Sequence, residues 1–499
     1  MRFVLALVLL ACSGVLQAVP PNIVLILADD MGYGDLGCYG HPRAKTPHID
    51  RLAKEGVRFT QHYSNGTECS PTRTALLTGR YPQWAGGLEC AIGTGNVGRY
   101  DDAIELAARR QLGLPAKQVV LPGALKKVGY ACGVFGKWHL GYEPRFNPIE
   151  HGWDEFFGYL GGNVHYFNHR ETSDLHVLFR GRLPVHSEGY MTHLITDHSL
   201  AFIERHKARP FFLFVSHESP HFPFQGPKDA AKKITKENWM TPDADTYVAM
   251  LEDLDTEVGR VLAALKEQNL DRNTLVIFVS DNGGFAPAAH MGPLRGAKSS
   301  TLEGGIRVPL IMRWPGQMAA GRTTDGPISL VDLMPSLLSL SGAEIPSQAE
   351  GEDLAPFILG DEARAQDSVW INFPVDVKII HSPPFRGVVT RDHTYAVTRE
   401  GPWCLFDDKK DPFQRNNLIS WAARDNSELV ALQQELQQKV DAWLERTNDP
   451  FEGGDTVSDR YQPGHRDGVL PQVADSEFAI ALQQRRAALG ERPTDRPAP

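Results

Sequence analysis

Two apolar runs end in neighbouring oxygen ligands: Ile26-Leu27-Ala28 leads into Asp29-Asp30, and Ile277-Phe278-Val279-Ser280 leads into Asp281-Asn282. In an open α/β sheet, ligands bind beyond the carboxyl ends of the strands, so both pairs point to one place if the runs share a sheet. Three carboxylates and an amide gathered there repel one another unless a cation sits between them. An all-oxygen set is hard and suits Ca2+ or Mg2+ rather than zinc. Each pair alone also reads as a turn, because Asp favours turns and Asp281-Asn282-Gly283 has turn composition. A third segment, Cys69-Ser70-Pro71-Thr72-Arg73-Thr74-Ala75-Leu76-Leu77-Thr78-Gly79, predicts a short helix with Ser70 as N-cap, Pro71 at the first helical position and Gly79 as the stop. Cys69 then precedes an exposed helix start, where free N–H groups and the dipole favour an anion, and Arg73 adds a planar cation one turn in. The competing reading of Cys69 is a small buried apolar residue.

The elements that must position these groups follow a βα rhythm, which predicts an α/β fold built on a mostly parallel sheet flanked by helices. Continuous apolar runs at Ile23 to Ala28, Phe211 to Val215, Leu275 to Val279 and Val308 to Met312 have the pattern of strands buried on both faces. Thr46-Pro47 predicts a helix start, with Ile49, Leu52 and Ala53 as its stripe and Gly56 as its end. Tyr247, Met250, Leu251, Leu254, Val258, Leu262 and Leu265 recur at helical spacing. From about residue 370 the segments shorten: Gly387 to Thr390, Thr394 to Val397 and Trp403 to Phe406 predict a small antiparallel sheet. An amphipathic helix follows over Ser427 to Arg446, using Leu429, Leu432, Leu436, Val440 and Leu444. The expected organisation is a leader over 1–18, a catalytic domain over 20–369, a C-terminal α+β subdomain over 370–450 and a loose tail over 451–499.

The 499 residues rule out a minimal disulfide knot or a lone binding module, and 42% hydrophobic with 22% charged residues lies far from the composition of disorder. The formal charge of −10 (61 acidic, 51 basic) lacks the basic field that nucleic-acid binding needs. Arg2 followed by the apolar run Phe3 to Cys12 and a small-residue exit at Ala18 reads as a secretory leader, too short to span a bilayer, so the mature protein is expected outside the cytoplasm, periplasmic or extracellular. Leu9-Leu10-Ala11-Cys12 also loosely resembles a lipoprotein box, which would anchor the chain through Cys12. Cys12, Cys38, Cys69, Cys90, Cys132 and Cys404 show no Cys-x-x-Cys pair, and no disulfide is predicted.

Cys69-Ser70-Pro71-Thr72-Arg73 followed by Leu77-Thr78-Gly79-Arg80 resembles the C-x-P-x-R signature of the type I sulfatases, in which the cysteine is converted to formylglycine. Asn22 to Gly40, Gly136-Lys137-Trp138-His139-Leu140-Gly141, Ser219-Pro220-His221 and Leu294-Arg295-Gly296-Ala297-Lys298 fall in that family's order, from about residue 20 to 420. The stretch Ala28 to Gly37 is most similar to the arylsulfatase A and N-acetylgalactosamine-6-sulfatase group. The resemblance implies an alkaline-phosphatase-like fold and a sulfuric ester hydrolase acting on a sulfated carbohydrate or aryl sulfate. It implies Asp29, Asp30, Asp281 and Asn282 as ligands of one Ca2+ that also touches the residue 69 side chain, and a separate maturation enzyme that makes the formylglycine. One hydroxyl of the hydrated aldehyde would attack sulfur, and loss of the other's proton would release sulfate. Lys137 and Lys298 would clamp the sulfate, Arg73 would hold the residue 69 hydroxyl, His139 would be the base and His221 the acid at the leaving oxygen. Spacing and composition alone do not reveal the aldehyde.

His217 is a weaker candidate for substrate contact, and Asn163, His165, Trp84 and Glu89 are possible cleft residues without an assigned role. Two other functions remain open from sequence: a phosphonate or phosphate ester hydrolase using the same aldehyde, and a non-catalytic binder of sulfated glycan whose Cys69 is never converted.

Overall fold

The structure is a computed structural model that describes residues 20–451 apart from 86–87, 90, 93–105, 107–108, 173, 175–176, 374–384, 420–425 and 450. The expected leader with Cys12, the Cys90 thiol and the tail from residue 452 lie outside the described residues.

The run Ile23 to Ala28 forms β1 (Asn22–Ala28), every residue of which is buried. Along it side chains alternate between faces, and both faces are covered. Ile23, Leu25 and Leu27 join one core cluster with Leu76 and Leu77; Val24, Ile26 and Ala28 join the other with Tyr247, Met250 and Leu254. The result is three layers, helix on sheet on helix. The helix Cys69–Thr78 packs on one face, and the helices Met191–His206 and Ala244–Glu267 on the other.

The other strands are β2 (Val57–Phe59), β3 (His62–Tyr63), β4 (Ala131–Lys137), β5 (Glu155–Tyr159), β6 (Leu178–Arg180), β7 (Leu183–Pro184) and β8 (Phe211–Ser216). They continue with β9 (Thr274–Ser280), β10 (Leu310–Arg313), β11 (Arg322–Thr324) and β12 (Ile328–Ser329). Nine of them join β1 in one ten-stranded sheet in the order β11-β2-β10-β9-β1-β8-β4-β5-β6-β7. Its centre, β9-β1-β8-β4-β5, is parallel throughout. The run Val308 to Met312 is not a parallel strand: β10 starts at Leu310 and pairs antiparallel with both β9 and β2.

One central strand escapes the apolar-run criterion. Gly133 and Gly136 interrupt β4, and Gly136 sits at φ 114°, where a Cβ would lie 1.9 Å from the Ser216 carbonyl oxygen. Only glycine permits β4 and β8 to approach so closely there, one residue before Lys137.

Thr46 does precede a helix, Pro47–Glu55, but its hydroxyl donates to Asp50 and accepts from the Gly37 amide instead of capping. A separate antiparallel sheet, β13 (Ser368–Phe373), β14 (Phe385–Thr390), β15 (His393–Thr398) and β16 (Gly401–Asp407), is covered by the helix Ser427–Thr447. That helix buries Leu436, Val440, Trp443 and Leu444, whereas Leu429 and Leu432 stay half-exposed, so its packing is shifted toward its C-terminal half. Among the described residues no helix is long and apolar enough to cross a membrane.

Candidate active site

The carboxyl ends of four adjacent parallel strands deliver the chemistry, as the position of ligands in open sheets requires. Asp29 and Asp30 follow β1, Asp281 and Asn282 follow β9, His217 to His221 follow β8, and Lys137 ends β4. Register does the alignment: Ala28 pairs with Ser280, so the two acidic pairs leave the sheet side by side. The Asp281 amide donates to the Ala28 carbonyl at 3.2 Å, and the Asp30 amide to Asp281 Oδ1 at 3.2 Å. Asp30 adopts φ 62°, which turns the chain sharply between the two aspartates.

Cys69 is the first residue of its helix, with Glu68 at the N-cap; Ser70 is not the cap, and its hydroxyl instead donates to the His139 carbonyl at 2.9 Å. Gly79, at φ 63°, ends the helix where expected. The expected exposed start is in fact sealed, with Cys69 1% exposed. Its Sγ lies 3.1 Å from Asp29 Oδ1, 4.0 Å from Asp30 Oδ1 and 3.7 Å from Lys298 Nζ. Asp29, Asp30, Cys69 and His221 each offer a ligand atom, all within 4.8 Å of one another.

Three cations interleave with the acids. Lys137 Nζ donates to Asp29, and Lys298 Nζ donates to Asp30 at 2.7 Å. Arg73, buried under the helix, forks: Nε donates to Asp281 Oδ2 at 3.1 Å, and Nη1 to Ser216 Oγ at 2.7 Å and the Lys137 carbonyl at 3.0 Å. Arg73 therefore ties β9, β8 and β4 together beneath residue 69, a task for a planar guanidinium and not a point charge.

The two histidines differ in which nitrogen is free. His139 Nε2 faces the Ile92 carbonyl, which makes Nε2 the protonated nitrogen; Nδ1 is buried without a partner among the described residues. His221 Nδ1 faces its neighbour's carbonyl, Phe222 O, at 2.6 Å, so Nε2 is the acceptor, 3.1 Å from Lys298 Nζ. Burial first, and nearby Lys137 or Lys298 second, push both histidines well below their ordinary value, so both are neutral.

Burial likewise pushes Asp30 up, against the pull of Lys298, and pushes Asp281 up with help from Asp29. Cys69 is raised well above an ordinary thiol, by burial and then by Asp29, so the unmodified side chain is a neutral thiol. Asn282 Nδ2 donates to Asp30 Oδ1 at 2.8 Å, while its Oδ1 is a buried acceptor with no partner among the described residues. An orphaned oxygen beside three desolvated carboxylates fits a hard divalent cation.

The remaining candidates do not join this cluster. His217 is fully buried, its amide donates to the Leu27 carbonyl, and burial takes its ring down to about 3. His165 Nδ1 accepts the Phe167 and Asn168 amides, stitching its own turn. Asn163 accepts from Thr172, Trp84 lies under the Arg80 guanidinium, and Glu89 is buried. Sequence reading missed Ser216 and Glu68. Ser216 is the last residue of an apolar run, and a carboxylate before a helix is an ordinary N-terminal residue, so neither carries a readable signal.

A family model described as Sulfatase matches residues 21–343, and one described as N-sulphoglucosamine sulphohydrolase, C-terminal, matches residues 297–445. N-acetylgalactosamine-6-sulfatase of Canis lupus familiaris is 36% identical over 365 residues, covering 69% of this chain and 67% of that protein. Arylsulfatase A of Homo sapiens is 31% identical over 484 residues, covering 87% of this chain and 90% of that protein. Among solved structures, that of Ps i-CgsB superposes with a TM-score of 0.72 at 27% identity, covering 93% of this chain and 100% of that one. With its sheet, its C-terminal antiparallel unit and these relatives, the chain belongs to the sulfatase family, the hydrolases of sulfate esters.

Proposed function

We propose that this sulfatase cleaves sulfate monoesters of a sulfated carbohydrate or aryl alcohol at the centre around residue 69, with that residue converted to formylglycine and a Ca2+ held by Asp29, Asp30, Asp281 and Asn282. The observation that carries the reading is Cys69 at a helix start, within 4 Å of two aspartates and a lysine. As a buried neutral thiol it is a poor nucleophile, since the thiolate is the reactive form. The converted residue supplies a hydroxyl nucleophile at neutral pH, and the divalent ion supplies Lewis-acid polarisation of a sulfate oxygen.

Charge bookkeeping supports the pair. Asp29, Asp30 and Asp281 balance Arg73, Lys137 and Lys298, giving 3 − 3 = 0 with both histidines neutral. A divalent ion raises the centre to +2, and a sulfate monoester brings it back to +1, so the buried anion is always compensated. Lys137 and Lys298 are fixed before substrate arrives, and preorganised charge of this kind favours the transition state. His139 takes a proton at Nδ1, which has no partner among the described residues. His221 Nε2, 3.1 Å from Lys298 Nζ, is the acid at the leaving oxygen in its imidazolium form, which the negative charge of the bound ester favours, while Lys298 keeps its own proton and charge. Support for a carbohydrate substrate comes from relatives named for one, such as N-acetylgalactosamine-6-sulfatase.

The test is side-by-side turnover of sulfated monosaccharides, an aryl sulfate and an aryl phosphonate, using protein whose residue 69 aldehyde is confirmed by peptide mass, with and without a Ca2+ chelator. Sulfate release that falls on chelation supports the proposal. Preference for the phosphonate, or binding of sulfated sugar with an intact thiol and no turnover, overturns it.

A further inference from the structure

The residue before the reactive position has a side chain that the hydrolytic scheme leaves unused. Glu68 is buried, and its backbone is extended at φ −139° and ψ 166°. Its carboxylate reaches two separate segments. Oε2 accepts the Ala91 amide at 2.9 Å, and Oε1 accepts the Ser299 hydroxyl at 3.5 Å.

Each segment adjoins the catalytic machinery: Ile92, after Ala91, contacts the His139 ring, and Lys298 directly precedes Ser299. Ala91 is followed by Ile92, whose carbonyl receives His139 Nε2 and whose amide donates to Ser70 Oγ at 3.2 Å. Ser70 in turn donates to the His139 carbonyl, so the Ala91–Ile92 strap, the helix start and the base form a closed ring of hydrogen bonds. Ser299 follows Lys298, adopts φ 67°, and donates its amide to the Thr67 carbonyl at 2.9 Å. One carboxylate thus grips the strap that fixes the His139 tautomer and the loop that delivers Lys298.

We infer that Glu68 is a positioning residue for sulfate ester hydrolysis, holding the base and the sulfate-binding lysine in register around residue 69; this rests on the roles proposed above for His139 and Lys298. Without the Ala91 tether the Ile92 carbonyl is free to leave His139 Nε2. The ring then populates both tautomers, and only one leaves Nδ1 open for a proton. Without the Ser299 tether Lys298 loses part of its fixed approach. Both losses act on the reacting geometry more than on substrate capture, so they fall on kcat.

The experiment compares wild type, Glu68→Ala, Glu68→Asp and Glu68→Gln, each with its residue 69 aldehyde confirmed, on one sulfate ester. A misplacement of about 1 Å costs on the order of 100-fold, so Glu68→Ala is expected to lower kcat about 30- to 100-fold with KM within about threefold. Glu68→Gln keeps an acceptor for Ala91 and a donor for Ser299, and is expected to stay within about threefold of wild type. Glu68→Asp keeps charge and a favourable N-cap residue but is one methylene too short to span both partners; its kcat falls even if the alanine variant fails to fold. A 15N spectrum of the His139 ring reports Nε2–H in wild type and a tautomer mixture in the alanine or aspartate variant. Active wild type with unchanged kcat and an unchanged ring signal in Glu68→Asp overturns the inference alone. Wild type with the aldehyde present and no sulfate ester turnover overturns the proposed function, and the inference with it.

Discussion

Arg73→Lys keeps the charge and removes the fork, which separates the two things the guanidinium does. Arg73 spans from Asp281 to the corner formed by Ser216 Oγ and the Lys137 carbonyl. An ammonium reaches one end only. If it stays on Asp281, the corner loses a donor but keeps its own bond, because Ser216 Oγ still donates to the Lys137 carbonyl at 2.7 Å. If it moves to the corner, Asp281 is left desolvated. Either loss costs about 1–3 kcal/mol for a buried hydrogen bond to a charged group. Arg73→Met leaves the carboxylates uncompensated, at about 3–5 kcal/mol. For 499 residues, an unfolding entropy of about 2.1 cal/mol/K per residue makes 1 kcal/mol worth about 1 °C. The expected order of Tm is therefore wild type, then lysine about 1–3 °C lower, then methionine about 3–5 °C lower. Because Arg73 also aligns β4 and β9 beneath residue 69, kcat/KM is expected to fall about 100-fold in the lysine variant. Thermal unfolding and initial rates of sulfate release measure both. Lysine and wild-type enzymes with equal Tm and rates within threefold would refute the forked role.

Gly162→Ala places a Cβ 2.6 Å from His139 Nε2, displacing the ring from Ile92; kcat should drop at least about 10-fold, and an unchanged kcat in a steady-state assay rules this out. Burial pushes Glu218 up to about 8, so between the ordinary 4.5 and 8 the native state holds a proton that the unfolded chain lacks, and stability falls as pH rises through that window. Glu218→Gln removes the effect, so its unfolding free energy relative to wild type should grow from pH 5 to pH 9, by at most about 5 kcal/mol at about 1.4 kcal/mol per pKa unit, read by denaturant unfolding; a difference independent of pH argues against a protonated Glu218. The fully buried pair of Arg386 with Asp449, at 2.8 Å and 3.1 Å, ties the end of the C-terminal helix to β14. Asp449→Ala should cost about 3–5 kcal/mol while KM stays unchanged, and a Tm equal to wild type counts against that latch.

The parts of the fold written as continuous apolar runs were legible: β1, β8 and β9 end within a residue of the expected bounds. β4 was not, because the same glycines that let it press against β8 break its apolar run. β10 was legible as buried but not as antiparallel, since a strand covered on both faces looks alike in either direction. For the site, Asp29, Asp30, Asp281 and Asn282 stood out as a set of oxygen donors from residue type, and their convergence follows from one register, Ala28 opposite Ser280, that no local pattern encodes. Cys69, Lys137, His139, His221 and Lys298 drew their roles from family resemblance. The neutral states of Cys69, His139 and His221 emerge only from their burial. Glu68 was invisible because its partners, Ala91 and Ser299, lie 23 and 231 residues away.

The central claim is that residue 69 is the nucleophile of sulfate ester cleavage. It is tested by releasing sulfate from a defined sulfated sugar or aryl sulfate with wild-type protein of known residue 69 mass, beside Cys69→Ala of matched Tm. The account predicts formylglycine at position 69 in the active protein and turnover at background level in the alanine variant; wild-type turnover by Cys69→Ala, or full activity with an intact thiol at residue 69, would contradict it.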